Sequence, residues 1–482
     1  MIRKILVLLT SIGLVAAGLL FVPSISLRVG DSVELHQLTV KARDLSLVCP
    51  GPAFYSGGAN GTSIGKPKQD GTAELQAAWG PASGRTLNGA ALSAAAQGIQ
   101  DNFLSFSTSS PYVLTVSDPS GQATQGSSLL TGVQLDSVSS PQVAGLLGSV
   151  CQRPQSEFWI VGGDTTTGRE ALLILVNSAN IDATVELDLI GSGGALSAPG
   201  LTGISVAAHK VAVIPIASIS PKNATFSVHV KSHGAALAGW IQQKAVRGLT
   251  AAGADFIAPT SMPATNLVIP GFFVRGSKDA AKLQASSKEY GDITNMVRLT
   301  NPGDVVTTAV VQVIGANAKT FGTVLQVNVA AHSTTDVEVG GLADGDYSIF
   351  ISSAAPLIGA AKLNRTSLSA KQKTDFAWLP SVDADSGNRT VVTPKAGISK
   401  LSIANPSKQI AEVVLRGGGL NKTVQIKPGA TQTFAVNSSA IVRLDSSQPV
   451  AVSLVVDVDY TIAVLPMLEQ RNLGGQVGVL VR

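Results

Sequence analysis

Histidines are the first residues here whose type suits chemistry, and there are five: His36, His209, His229, His233 and His332. His229 and His233 stand four apart. On a strand that spacing puts them on one face about 13 Å apart, too far to share a metal unless the chain bends. His209 and His332 each follow Val-Ala-Ala, where a turn between strands is expected. A histidine repeated in a turn points to backbone geometry rather than to catalysis. Nucleophilic serine has no Gly-x-Ser-x-Gly elbow to sit in. The glycines of WIVGGD and RGGGL are not followed by the Gly-Lys-Ser/Thr of a phosphate loop, so they read as tight turns. Acidic residues gather in VDADSGN (Asp383, Asp385, Asn388) and around Gly345 (Asp344, Asp346). Inter-domain acidic loops of this kind hold calcium in some extracellular arrays. The Asp-x-Asp-x-Asp-Gly pattern is missing, so solvated turns are the favoured reading. The expectation is a chain with no catalytic residues, no metal and no cofactor.

The N-terminus sets the compartment. Arg3 and Lys4 precede Ile5 to Val22, eighteen residues without a charge, and Pro23 ends the run. Basic residues before an apolar run keep that end in the cytoplasm. The run just reaches membrane-spanning length. A cleaved signal peptide would leave Leu19-Leu20-Phe21-Val22 at the start of the mature chain, so an uncleaved anchor over 1–24 is favoured. The expected location is the cell membrane, single-pass, with the bulk of the chain outside the cell. Lys and Arg are scattered and the net charge is +4, which gives nucleic-acid binding no support. Cys49 and Cys151 are the only cysteines. In an oxidising space two thiols most simply form one disulfide.

The elements around these residues repeat. Apolar-x-apolar-x-Asn followed by Ala-x-Val-x-aliphatic occurs at Leu173–Asn177 and Ala183–Leu187. It recurs at Val297–Asn301 and Ala309–Val313, and at Leu401–Asn405 and Ala411–Leu415. Period two means strands with alternate side chains facing a core. Asn177, Asn301 and Asn405 would be structural turn residues, because Asn can bond nearby backbone amides. Each copy closes on Asp-aromatic and then proline: Asp255-Phe256, Asp375-Phe376 and Asp459-Tyr460. A worn fourth copy precedes these. Leu45–Gly51 lies over Val297–Gly303 and would put Cys49 at the Asn corner. A polar insertion follows over 56–107, with a short helix expected at Ala90–Phe103.

Short strands every eight to twelve residues predict an all-β chain of tandem antiparallel, immunoglobulin-like β-sandwiches after one N-terminal transmembrane helix. The expected domains are 1–24 (anchor), 31–156 (divergent, with the insertion), 157–263, 264–385 and 386–482. Short linkers suggest end-to-end packing in a rod.

VCPGP at Cys49, the Cys151-x-x-Pro154 element leading into Phe158–Asp164, and the repeated Asn-Pro corners resemble an uncharacterised family. It consists of exported or membrane-anchored actinobacterial proteins carrying a domain of unknown function. The resemblance implies a cell-envelope location and brings no catalytic residues. The expected role is a non-enzymatic envelope-anchored scaffold or binding protein. Its partner would be a cell-wall polymer or an envelope protein, with the membrane reached through the N-terminal helix. An enzyme or accessory subunit of envelope glycan assembly, and a surface adhesin, are the alternatives.

Overall fold

The computed structural model describes residues 34–40, 45–55, 67–69, 71–79, 84–85, 91–92, 102–116, 130–140, 143–317, 322–370, 374–467 and 475–481. The expected anchor over 1–24 lies outside them. Among the described residues no helix is long and apolar enough to cross a membrane. The chain divides into two compact units. In the smaller, Met1–Ala42 with Gly474–Arg482, the strand Glu34–Val40 pairs antiparallel with Gly475–Val481.

The larger unit, Arg43–Leu473, holds four two-sheet modules. The second shows the plan. Glu157–Val161, Phe226–His233 and Ala183–Gly191 are neighbours in one sheet, with Gly194–Leu196 and Ile204–Val206 pairing with the last. Val211–Pro215, Arg169–Val176, Ala238–Arg247 and Thr250–Ile257 make the other. Alternation drives the pairing: Ala183, Val185, Leu187 and Leu189 are buried, while Glu186 and Asp188 face out.

In the third and fourth modules one long strand serves both sheets. Gly345–Thr366 pairs through its first half with Ala264–Val274 and Thr307–Gly315. Its second half pairs with Met296–Asn301 and Thr374–Pro380. Ile441–Val458 does the same for the fourth. In the second module this path is broken at Gly234, whose φ of 87° is one that L side chains rarely adopt.

The first module departs from the sequence expectation. Leu45–Cys49 pairs with Tyr112–Val116, as Glu157–Val161 pairs with Phe226–His233 in the second module and as the opening strands of the third and fourth pair with their long strands. The strand matching the Asn-bearing ones is Ala73–Trp79, held between Asn102–Thr108 and Leu130–Ser139. Cys49 therefore ends the opening strand and does not occupy an Asn corner. The stretch 56–107 supplies strands of the module itself. It looked like an insertion because AELQAAW alternates alanine and leucine with polar residues, a weak apolar signal. Ala91–Leu92 and Asn102–Phe103 lie in strands, not in the expected helix; residues 93–101 fall outside the described set. Conversely, Ser277–Ser286 is an α-helix that the sequence analysis missed. It buries only Leu283 and starts where Asp344 accepts from Gly276 N and Ser277 N, both at 2.9 Å.

The modules do not form a rod. They pack head to tail and the ring closes. Phe54, Val113 and Leu147 of the first share a core with Ile174, Trp240 and Phe256 of the second. Trp159 and Val161 of the second pack with Ile358, Phe376 and Trp378 of the third. Phe272 and Phe273 of the third pack with Val455, Ile462 and Val464 of the fourth. Val391, Val450 and Leu465 of the fourth join Ala78, Val133 and Leu135 of the first. Sheets buried on both faces explain how so many β-branched residues find a core in modules this small.

Candidate functional site

The three predicted asparagines occupy equivalent corners. Asn301 Nδ2 donates to Val305 O (2.8 Å) and Val329 O (3.2 Å), and its Oδ1 accepts from Gly303 N (3.0 Å). Asn177 repeats this with Ile181 O, Val206 O and Ala179 N, and Asn405 with Gln409 O, Ile426 O and Ser407 N. All three are fully buried. Each joins the loop after its strand to a neighbouring strand, which is scaffold chemistry. His209 (φ 54°) and His332 (φ 48°) sit at left-handed turn positions, and Gly429 (φ 65°) takes the matching place in the fourth module. Their rings bond outward, His332 to Asp304 and His209 to Asn180. His229 is buried, stacked on Trp159 and bonded to Glu157 and Asp188, while His233 is exposed. Among the described residues no group of three or more His, Cys, Asp or Glu could hold a metal ion.

Cys49 and Cys151 form a disulfide. Cys151 follows the first module's closing strand, and Gly132 leaves room for its sulfur: a Cβ there would come within 2.8 Å of Sγ.

The closing strands of the four modules meet at a hub. They are Ala144–Val150, Thr250–Ile257, Thr374–Pro380 and Thr461–Pro466. Among the described residues each has a ladder partner on one edge only, so N–H groups on the other edge need acceptors. Two buried carboxylates supply them. Asp255 Oδ2 accepts from Trp378 N at 2.7 Å. Asp375 accepts from Leu146 N (3.2 Å), Ala254 N (3.3 Å) and Ile462 N (3.0 Å), one strand from each of the other three modules. Burial pushes the Asp375 carboxyl up to about 7 against the pull of these amides. Burial, then the neighbouring Asp375, raises Asp255 well above its usual value. Glycines make the approach possible: a Cβ on Gly145 would lie 2.5 Å from Ala254 N. The Asp-aromatic repeat is thus not one structural position. Asp255 pairs with Gln243, while Ala377 takes the matching place opposite Leu363, two residues after Asp375. Asp459 and Tyr460 form an exposed hairpin turn with positive φ.

A charged cluster joins the second and third modules. Arg298 is 1% exposed and its guanidinium is fully engaged. It donates to Asp336 (2.7 and 2.9 Å), Gly163 O (2.7 Å), Ala224 O (2.8 Å) and Phe226 O, and lies over the Trp378 ring. Asp292 binds Arg169 and Arg247. Burial would raise the Asp292 carboxyl, but Arg247, Arg169 and Lys362 overcome it and hold it low. Beside this cluster is a pocket of about 30 Å3. Half-buried Asp164, Arg169, Met296 and Lys362 and exposed Ala224 form its rim, over a buried floor of Gln243, Phe376 and Trp378. Burial pushes the Lys362 ammonium down to about 8, against the pull of Asp292. The sequence analysis touched only Asp164 and Phe376 among them, neither as a binding residue, because the set comes from two modules and shares no motif.

A second cleft, of about 290 Å3, lies in the first module and is lined by Tyr55, Thr72, Asp136, Ser137, Ser139 and Ser140, among others. Asp136 Oδ2 accepts from Ala53 N at 2.7 Å, and burial pushes its carboxyl up to about 6.

The profile of DUF5719, described as a family of unknown function, matches residues 107–437. No curated protein matches the sequence. One solved structure, titled "Biofilm associated protein - BSP domain", is 10% identical to this chain. It covers 94% of this chain and 98% of its own, with a TM-score of 0.10.

Proposed function

The chain belongs to DUF5719, a family of unknown function, and we propose that this member is a non-enzymatic scaffold or binding protein of an actinobacterial cell envelope. In this reading the apolar segment before Pro23 holds the chain in the membrane, and the four-module unit works outside the cytoplasm. Its partner is a wall polymer or another envelope protein. One observation carries the reading: the charged side chains gathered in the interior are engaged in joining modules. Asp255 and Asp375 hold closing strands, and Arg298–Asp336 ties the third module to the second. Such groups build a rigid frame. Membrane fractionation tests the placement. The full chain should sediment with membranes, and a chain lacking residues 1–24 should appear folded in the soluble fraction. A truncated chain that still sediments would refute the anchor. Affinity capture of the full chain from solubilised envelope should retain one wall polymer or envelope protein in stoichiometric amount.

The alternative, an enzyme of envelope glycan assembly, is favoured by the Asp136 cleft. A raised carboxyl among hydroxyls suits general acid chemistry on a sugar. Glycan hydrolysis or transfer by the purified chain, lost in Asp136→Asn, would replace the scaffold reading.

A further inference from the structure

We propose that the pocket between the second and third modules is a carboxylate-binding site in which Lys362 receives the ligand. The cations of this junction differ in what they already hold. Arg298 is closed off by Asp336 and three carbonyls. Arg247 is held by Asp292, the Glu289 carbonyl and Thr374 Oγ1. Arg169 is held by Asp292 and by the carbonyls of Gly168 and Val246. Lys362 is the exception. Its Nζ reaches the Asp292 carbonyl at 3.4 Å and lies 5.3 Å from the Phe376 ring centroid. No carboxylate among the described residues makes an ion pair with it.

Three features give the site its chemical class. First, an ammonium half-buried beside two guanidinium groups is short of negative charge, and a bound anion supplies it. Second, Phe376, Trp378 and Met296 wall the pocket, and a low-dielectric wall strengthens an ion pair formed inside. Third, the cavity is small, about 30 Å3, so it takes the head of a carboxylate with the rest of the ligand outside past Met296. Asp164, also on the rim, disfavours a doubly charged anion such as phosphate. A uronic acid of a glycan and the free C-terminus of a peptide share the required group. The site goes beyond the scaffold role and does not rest on it, since any carboxylate of suitable size would occupy it.

Protection of lysines from an amine-acylating reagent at pH 8, read by mass spectrometry on the full-length chain, tests the site. Acetate, glucuronate, N-acetylalanine, phosphate and chloride are compared at matched ionic strength. Carboxylates should slow labelling of Lys362 at least fivefold and leave exposed Lys278 unchanged. They should also raise the melting temperature of the parent chain and of Lys278→Gln, but not of Lys362→Gln. Stronger protection by glucuronate assigns the ligand to a glycan, and by N-acetylalanine to a peptide. Equal protection by chloride or phosphate, or none by any carboxylate, would overturn the site. The labelling result stands even where Lys362→Gln fails to fold.

Discussion

Asp255 Oδ2 accepts the backbone N–H of Trp378 at 2.7 Å, a bond from the closing strand of one module to that of the next. Asp375 returns a bond of the same kind to the strand of Asp255 and makes two more, to the closing strands of the first and fourth modules. An edge strand exposes N–H and C=O groups that invite aggregation. Here four edges face one another, and two carboxylates satisfy amide groups between them. Asp375→Asn replaces one acceptor oxygen with a donor and leaves buried N–H groups unmatched. The expected loss is about 2–4 kcal/mol in denaturant unfolding. Asp459→Asn, in the exposed turn, should change stability by less than about 0.5 kcal/mol. Equal losses would mean that the Asp-aromatic repeat is one structural position after all.

The hub also sets a pH dependence. The folded pKa of Asp375 is raised, to about 7 from 3.8. A raised carboxyl stabilises the fold fully below its unfolded pKa, and that contribution is lost as pH rises through the folded value. Asp255 acts in the same direction. The stability difference between the parent chain and Asp375→Asn should therefore be largest near pH 4 and shrink by pH 8. A difference that grows with pH would show that the carboxylate is held ionised.

Asn301 makes three hydrogen bonds from a fully buried position, and Asn177 and Asn405 copy it. Asn301→Ala should cost about 2–3 kcal/mol, at roughly 1 kcal/mol per bond. Asn301→Asp should cost more, because two carbonyls would then face a carboxylate. Thermal unfolding of the three alanine variants should give similar losses.

Reduction of Cys49–Cys151 frees a loop of 102 residues. In the chain-entropy model that lowers stability by about 4.7 kcal/mol. Limited proteolysis with and without reductant should show the first module cut before the others; uniform cutting would contradict a local role.

Much of the frame was legible in the sequence because it repeats locally. Val297, Leu299 and Asn301 alternate with Arg298 and Thr300, and the same parity recurs twice, so strands and corners could be read directly. The His209 and His332 turns were legible for the same reason, since a left-handed position recurs with its residue. What was not legible depends on contacts between modules. Arg298 lies within a run quoted for its apolar alternation, yet it is the residue that crosses to Gly163, Ala224 and Phe226. Lys362 and Arg169 carry no spacing signal, because 193 positions separate them and only the ring brings them together. Asp255 and Asp375 looked equivalent in sequence, but two residues of register put them at different heights in the hub. The first module was misread because Ala73–Trp79 has too little apolar bulk to announce a strand.

The most direct test of the closed ring is small-angle scattering from residues 43–473 in solution. A compact unit of that length has a radius of gyration of about 22 Å. Four modules of about 100 residues strung in a line would give about 40 Å. The ring requires a value near the first; a value near the second would show that the first and fourth modules do not meet.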